Sequence, residues 1–271
     1  ILLLYIAGFL GQLAIGAIAV LVISVIALLV SVCICLSAAR FKDLAVNTFT
    51  LGFVAFLILI VLIYRMSEAA TAGSSPVVDT IKLMLENNSF AKVGVSSIGK
   101  IGYQPGYSLF GFFFTTLNGS FSEADVIRGA NIFAAAMILP VMSRMKWKVG
   151  YIGIFVIPAM YLLPWTVYSN IPVFNVLSAD AAVALVFAFM LTTYMCCEQS
   201  GYVYWTLGLG SAVLCLMRPG AEFVAALMLI IVILDIAAFG FFETRDMFEK
   251  PGRWISIVAY FALTGAAFLS W

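Results

Sequence analysis

Histidine is absent from this 271-residue chain, and with it the commonest general base near neutral pH and the commonest zinc ligand. Acid–base work therefore falls to carboxylates, and the binding of anions to arginine and lysine. Asp180 stands immediately before "AAVALVFAF". It is either a first-turn acid favoured by the helix dipole or a site carboxylate. Arg218 closes the run "LGLGSAVLCLM" and has three readings: a headgroup anchor, a partner of Glu222 four residues on, or an anion contact. Arg128 stands near the start of an apolar run, where it pairs with Asp125, snorkels, or serves a site. Asp235 lies inside "LIIVILDIAAFGFF", where an acid is costly. Its place near the opposite end from the other candidates favours a hydrogen bond to a neighbouring helix. Cys33, Cys35, Cys196, Cys197 and Cys215 lie in or beside apolar runs without CxxC spacing, so they read as small apolar side chains.

The elements that must position these groups are hydrophobic helices. The chain is 64% hydrophobic and 10% charged, against about 25% charged in a soluble domain. We expect an all-α, polytopic transmembrane bundle. A span needs about 20 apolar residues, and the candidates are about 11–37, 45–65, 126–143, 149–168, 181–197, 202–217, 221–242 and 254–271. That is about eight, with Ile1–Leu10 as the end of a further span or an extension of the first. The chain opens and closes inside apolar runs with no signal-peptide pattern, so the expectation is a single transmembrane domain over 1–271, a piece of a longer protein. The 14 basic residues are dispersed, which argues against nucleic acid as a partner. "TLGLGSA" lies within a span with no strand before it, so helix packing through small residues is the reading.

Arg40 and Lys42, then Arg144, Lys146 and Lys148, then Arg245, Lys250 and Arg253 fall on one face if the spans alternate. That face is expected to be cytoplasmic, in a plasma (inner) membrane. The other face receives a long loop over 66–125, the loop "SNIPVFNVLSAD" and "RPG" at Arg218–Gly220. Within the long loop, "SSPVVDTIKLMLENNSF" offers Ser74 or Ser75 as N-cap, Pro76 at the first helical position and Val77, Val78, Ile81, Met84 and Leu85 at helical spacing. It reads as an amphipathic helix lying on the membrane face, with Asp79, Lys82 and Glu86 toward water or a site. In "GYQPGYSLFGFFF", Pro105 and Gly106 break the backbone, and Tyr103 and Tyr107 suit the headgroup level. Leu109–Leu117 is too short to cross and is expected to re-enter among protein. Ser122 and Asp125 then stand in capping-box spacing and start a helix near Glu123.

This arrangement resembles the GT-C class of integral-membrane glycosyltransferases, which take a sugar from a polyprenyl-phosphate carrier. The likeness lies in four places: the surface helix "SPVVDTIKLMLENNSF", the segment "YQPGYSLFGFFFTTLNGSFSEADVIRGANIFAAAMILPV", the segment "IPAMYLLPWTVYSNIPVFNVLSADAAVALVFAFML" and the segment "LGLGSAVLCLMRPGAEFVAALMLII". Together they cover about 45–242. The family usually has an acid just before the first outer-loop helix as its presumed base. This chain has "AGSSPVVD", with Ser74 and Ser75 in that place, so the motif is degenerate.

The resemblance implies transfer of a sugar from a polyprenyl-phosphate donor to an acceptor on the extracytoplasmic face. In that scheme Asp79, or Glu68 near the span end, is the base, with Asp79 favoured because a helix holds it. Asp180 binds the acceptor or a divalent cation, Arg218 with Arg128 faces the phosphate, and Tyr103, Gln104, Tyr107 and Asn175 touch the substrate. Two other classes stay open. A non-catalytic subunit binding lipid or a membrane protein partner is favoured by the missing acid, and a transporter is disfavoured by the lack of an internal repeat.

Overall fold

A computed structural model describes residues 1–37, 58, 76–89, 105–142, 179–196, 201–238 and 251–270. Among them every regular element is a helix: α1 (Leu2–Phe9), α2 (Leu13–Ser37), α3 (Pro76–Asn87), α4 (Gly106–Asn118), α5 (Glu123–Met142), α6 (Ala179–Cys196), α7 (Gly201–Met217), α8 (Ala221–Ala238) and α9 (Pro251–Ser270). The chain divides into two compact units. The first comprises Ile1, Leu3–Lys100 and Ser108–Ser178; the second comprises Leu2, Ile101–Tyr107 and Ala179–Trp271. The expected spans over 45–65 and 149–168 lie outside the described residues, as do Arg40, Lys42, Arg144, Lys146, Lys148, Arg245 and Lys250.

In the first unit, α1 is a separate helix rather than an extension of α2. Gly11, at φ +70, supplies the left-handed turn between them, and the helices then approach so closely that a Cβ on Gly16 would lie 2.5 Å from that of Ala7. Helix α2 follows as the one described helix long and apolar enough to cross a membrane. Its apolar stretch Leu13–Ile34 has 22 residues and is 6% buried, and at 1.5 Å per residue it spans roughly 33 Å. Ser24 and Ser31 each donate to the carbonyl four residues back at 2.8 Å, which hides their hydroxyls in the helix itself.

The N-terminus of α2 is capped from far along the chain. Asn88, left-handed at φ 51 after the last turn of α3, accepts the Ala14 N–H on its side chain at 2.8 Å and the Leu13 N–H on its carbonyl at 3.2 Å. Ser89, buried, donates to the Gly8 carbonyl at 3.1 Å. Helix α3 starts at Pro76 as its sequence indicates, and buries Val77, Val78, Ile81 and Met84. Protein covers that apolar face: Ile81 fills the space that a side chain at Gly111 of α4 would need. Leu85, assigned to the same face, is exposed instead. Between Ser108 and Asn118, α4 is enclosed on one side through Ser108, Leu109, Phe112 and Thr115. Ser122 caps α5 by accepting the Asp125 N–H at 3.4 Å, while the Asp125 carboxylate accepts from the Asn118 amide at 2.7 Å.

In the second unit α7 is the central helix, packed on α6, α8 and α9. Its glycines permit this. A Cβ on Gly208 would lie 3.1 Å from the Tyr260 Cα on α9, and one on Gly210 2.7 Å from the Met190 sulfur on α6, so small residues set the helix spacing. Helix α9 turns Ser256, Tyr260 and Thr264 inward and Ile255, Val258 and Phe261 outward. Helix α8 likewise buries Ala225, Met228 and Val232 and exposes Phe223, Leu227, Ile230 and Leu234. Large apolar side chains thus lie on both the inner and the outer faces of these helices, while the described hydroxyl groups Ser256 and Thr264 of α9 face in.

Candidate functional site

The second unit gathers charged and backbone groups at the head of α6 and the end of α7. Asp180 occupies the first turn of α6, where the helix dipole favours an anion. Arg218 follows the last residue of α7. The two form an ion pair, with their side chains 44% and 64% exposed for Arg218 and Asp180 respectively. The first-turn position of Asp180 is thus as its sequence indicates, and the same carboxylate also faces a guanidinium.

The turn that carries Arg218 is tightly specified. Gly220 adopts φ +93, the Ala221 N–H donates to the Arg218 carbonyl at 3.1 Å, and the Gly220 N–H donates to the Glu222 carboxylate at 2.8 Å. This corrects one sequence reading. Glu222 is not placed as the helical i+4 partner of Arg218, because Arg218 lies in the turn and not on the helix that holds Glu222; its carboxylate braces the turn backbone instead.

The start of α4 adjoins the same turn. Pro105, Gly106 and Tyr107 are buried, and a Cβ on Gly106 would lie 2.5 Å from the Leu216 carbonyl oxygen and 2.7 Å from its carbon. At Gly106 a helix N-terminus thereby meets a helix C-terminus, whose opposite partial charges attract. Only glycine allows that approach, so the Pro-Gly pair both breaks the preceding chain and seats Gly106 itself against the residues just before Arg218. That contact was not readable from sequence; the only signal was the Pro-Gly dipeptide itself.

The remaining candidates are distributed elsewhere. Asp79 lies in the first unit on the exposed face of α3, beside Lys82, whose ammonium sits 5.4 Å from the centre of the Phe121 ring. Glu68, Tyr103, Gln104 and Asn175 lie outside the described residues, as does the side chain of Arg128. Asp235 accepts a hydrogen bond from the Tyr194 hydroxyl at 2.5 Å, the interhelical bond its sequence position favoured. Among the described residues no three His, Cys, Asp or Glu side chains gather as a metal cage, and Asp180 is paired with a guanidinium. Chemically, the arrangement offers a carboxylate able to accept a hydroxyl proton or hydrogen bond, beside a fork of N–H donors suited to a phosphate.

No family model matches the chain, and no curated protein or solved structure is similar enough to it to count as a match.

Proposed function

We propose that the chain is a multi-pass membrane glycosyltransferase that moves a sugar from a polyprenyl-phosphate carrier to an acceptor on the extracytoplasmic face. The observation that carries this reading is the Asp180–Arg218 pair, a carboxylate and a guanidinium side by side at the ends of apolar helices. In the reaction the acceptor oxygen forms a bond to the anomeric carbon as the bond from that carbon to the phosphate oxygen breaks. The electron pair leaves with the phosphate, stabilised by Arg218, and the hydroxyl proton goes to a carboxylate. Asp180 is the candidate beside Arg218; Asp79 and Glu68 are the candidates elsewhere in the chain.

A multi-pass bundle of about eight spans is supported by several features beyond α2. Shorter apolar stretches occur at Ala182–Met195, Gly201–Met217 and Trp254–Ser270. Large apolar side chains face outward on α8 and α9. Thr192, Thr206 and Thr264 satisfy their hydroxyls on carbonyls four residues back, which suits an environment without water. The reading places the loop of Arg144, Lys146 and Lys148 in the cytoplasm and the Arg218 turn on the opposite face.

The test is sugar transfer in proteoliposomes from radiolabelled polyprenyl-phosphate sugars. Arg218→Gln is expected to lower the rate about 100-fold, the scale for removing one preorganised charge at a developing anion, and Asp180→Asn to lower it strongly as well. Full rates in both variants would sink the proposal. A second reading, a non-catalytic subunit that binds lipid or a membrane partner, is favoured by Ser74 and Ser75 standing where the resembled family carries an acid. Undetectable transfer by the wild-type chain over a panel of donors, with stable co-purification of another membrane protein, would select it.

A further inference from the structure

We infer that the Asp180–Arg218 ion pair is a latch that the donor phosphate opens, so that Arg218 exchanges the carboxylate for the phosphate and Asp180 is released toward the acceptor. This rests on the glycosyltransferase reading above and adds an order to it: donor first, acceptor second. The pair has the properties such an exchange needs. Its side chains are 44% and 64% exposed, and exposed ion pairs are screened by water and weakly held. A guanidinium presents one flat fork of donors, which matches carboxylate and phosphate alike, so the two anions compete for it.

The backbone beneath Arg218 stays fixed while its side chain changes partner. Pro219 restricts its own φ, and the Arg218 carbonyl and the Gly220 N–H are both engaged within the turn, by the Ala221 N–H and the Glu222 carboxylate. Gly106 packs against the Leu216 carbonyl just before it. On the other side, Asp180 is carried by the first turn of α6, so its carboxylate remains near the guanidinium's former position after release. Only after that exchange is the carboxylate released from Arg218, so that it can accept from the hydroxyl of the acceptor. Holding the carboxylate on Arg218 until a phosphate arrives keeps it from activating water against a donor not yet seated.

The experiment measures binding of farnesyl phosphate to the full chain reconstituted in phosphatidylcholine vesicles, with farnesol, inorganic phosphate and phosphatidylglycerol as comparison probes. Asp180→Asn is expected to bind farnesyl phosphate about two- to fivefold more tightly than wild type, the range set by the strength of an exposed pair. Arg218→Gln is expected to lose at least tenfold, and the double variant to match Arg218→Gln, because the Asp180 effect acts through Arg218. Asp180→Glu should restore wild-type affinity, and Asp180→Ser provides a second removal of the carboxylate if Asp180→Asn does not purify as a monodisperse protein. Unchanged or weaker binding in Asp180→Asn and Asp180→Ser, with binding still lost in Arg218→Gln, overturns the latch and leaves the phosphate site standing. Equal binding of farnesyl phosphate by wild type and Arg218→Gln overturns the latch and the functional reading together. Equal affinity for inorganic phosphate or phosphatidylglycerol shows capture of any phosphate and overturns the donor-first order.

Discussion

Replacing Gly106 by alanine tests its contact with the backbone just before the Arg218 turn. The added Cβ would lie 2.5 Å from the Leu216 carbonyl oxygen, 2.7 Å from its carbon and 3.1 Å from the Met217 nitrogen, where ordinary contact begins near 3.4 Å. All three neighbours are backbone atoms at the end of α7, so no side-chain rotation relieves the clash; the helix start or the turn must move. Overpacking of this kind typically costs about 1–3 kcal/mol, and each kcal/mol shifts Tm by about 2–4 °C in a chain of this size. Gly265→Ala on α9 is the matched control, because nothing lies within 4 Å of its Cβ position. That substitution should be neutral or gain about 0.5–1 kcal/mol from helix propensity. Thermal unfolding in nanodiscs, followed by tryptophan fluorescence, reads both. Farnesyl phosphate affinity should fall in Gly106→Ala alone, since displacing Leu216 and Met217 displaces Arg218. A Gly106→Ala protein that melts with wild type and binds equally well would refute the close approach and its role in holding the turn.

Two further outcomes bear on the remaining packing. Asn88→Ala removes the acceptor for the Ala14 N–H and leaves an alanine at φ 51, so it should destabilise by about 1–2 kcal/mol. Amide exchange at Leu13 and Ala14 should rise in step, and unaltered protection there would show that α2 does not depend on this cap. Tyr194→Phe removes the donor to Asp235 and should cost about 1–2 kcal/mol in detergent unfolding. Stability equal to wild type would remove this bond as a tie between α6 and α8.

What could be read along the chain was whatever depends on neighbours within one helical turn. Pro76 starts α3 because its fixed φ and missing N–H suit a first helical position, and Ser122 caps α5 because its hydroxyl reaches an N–H three residues on. Asp235 needed a partner because a carboxylate in an apolar run cannot go unsatisfied, although the sequence did not say that Tyr194 would supply it. Glycines at 208 and 210 announced close helix packing, but not which helices would come close. The all-helical character of the described residues and the membrane-crossing length of α2 followed from composition and periodicity in the same way.

Tertiary structure decided the partnerships between distant residues. Asn88 caps a helix 74 residues earlier, and no local rule assigns a loop asparagine to another segment's N–H groups. Gly106 looked like a turn residue and proved to be the point where two helix ends meet. Arg218 had a helical partner available four residues on in Glu222, yet the left-handed Gly220 breaks that register and hands Arg218 to Asp180, 38 positions back along the sequence. Local sequence specifies which groups need satisfying; which distant group satisfies them is chosen by how the apolar faces pack, since that packing alone brings separated segments within hydrogen-bonding reach.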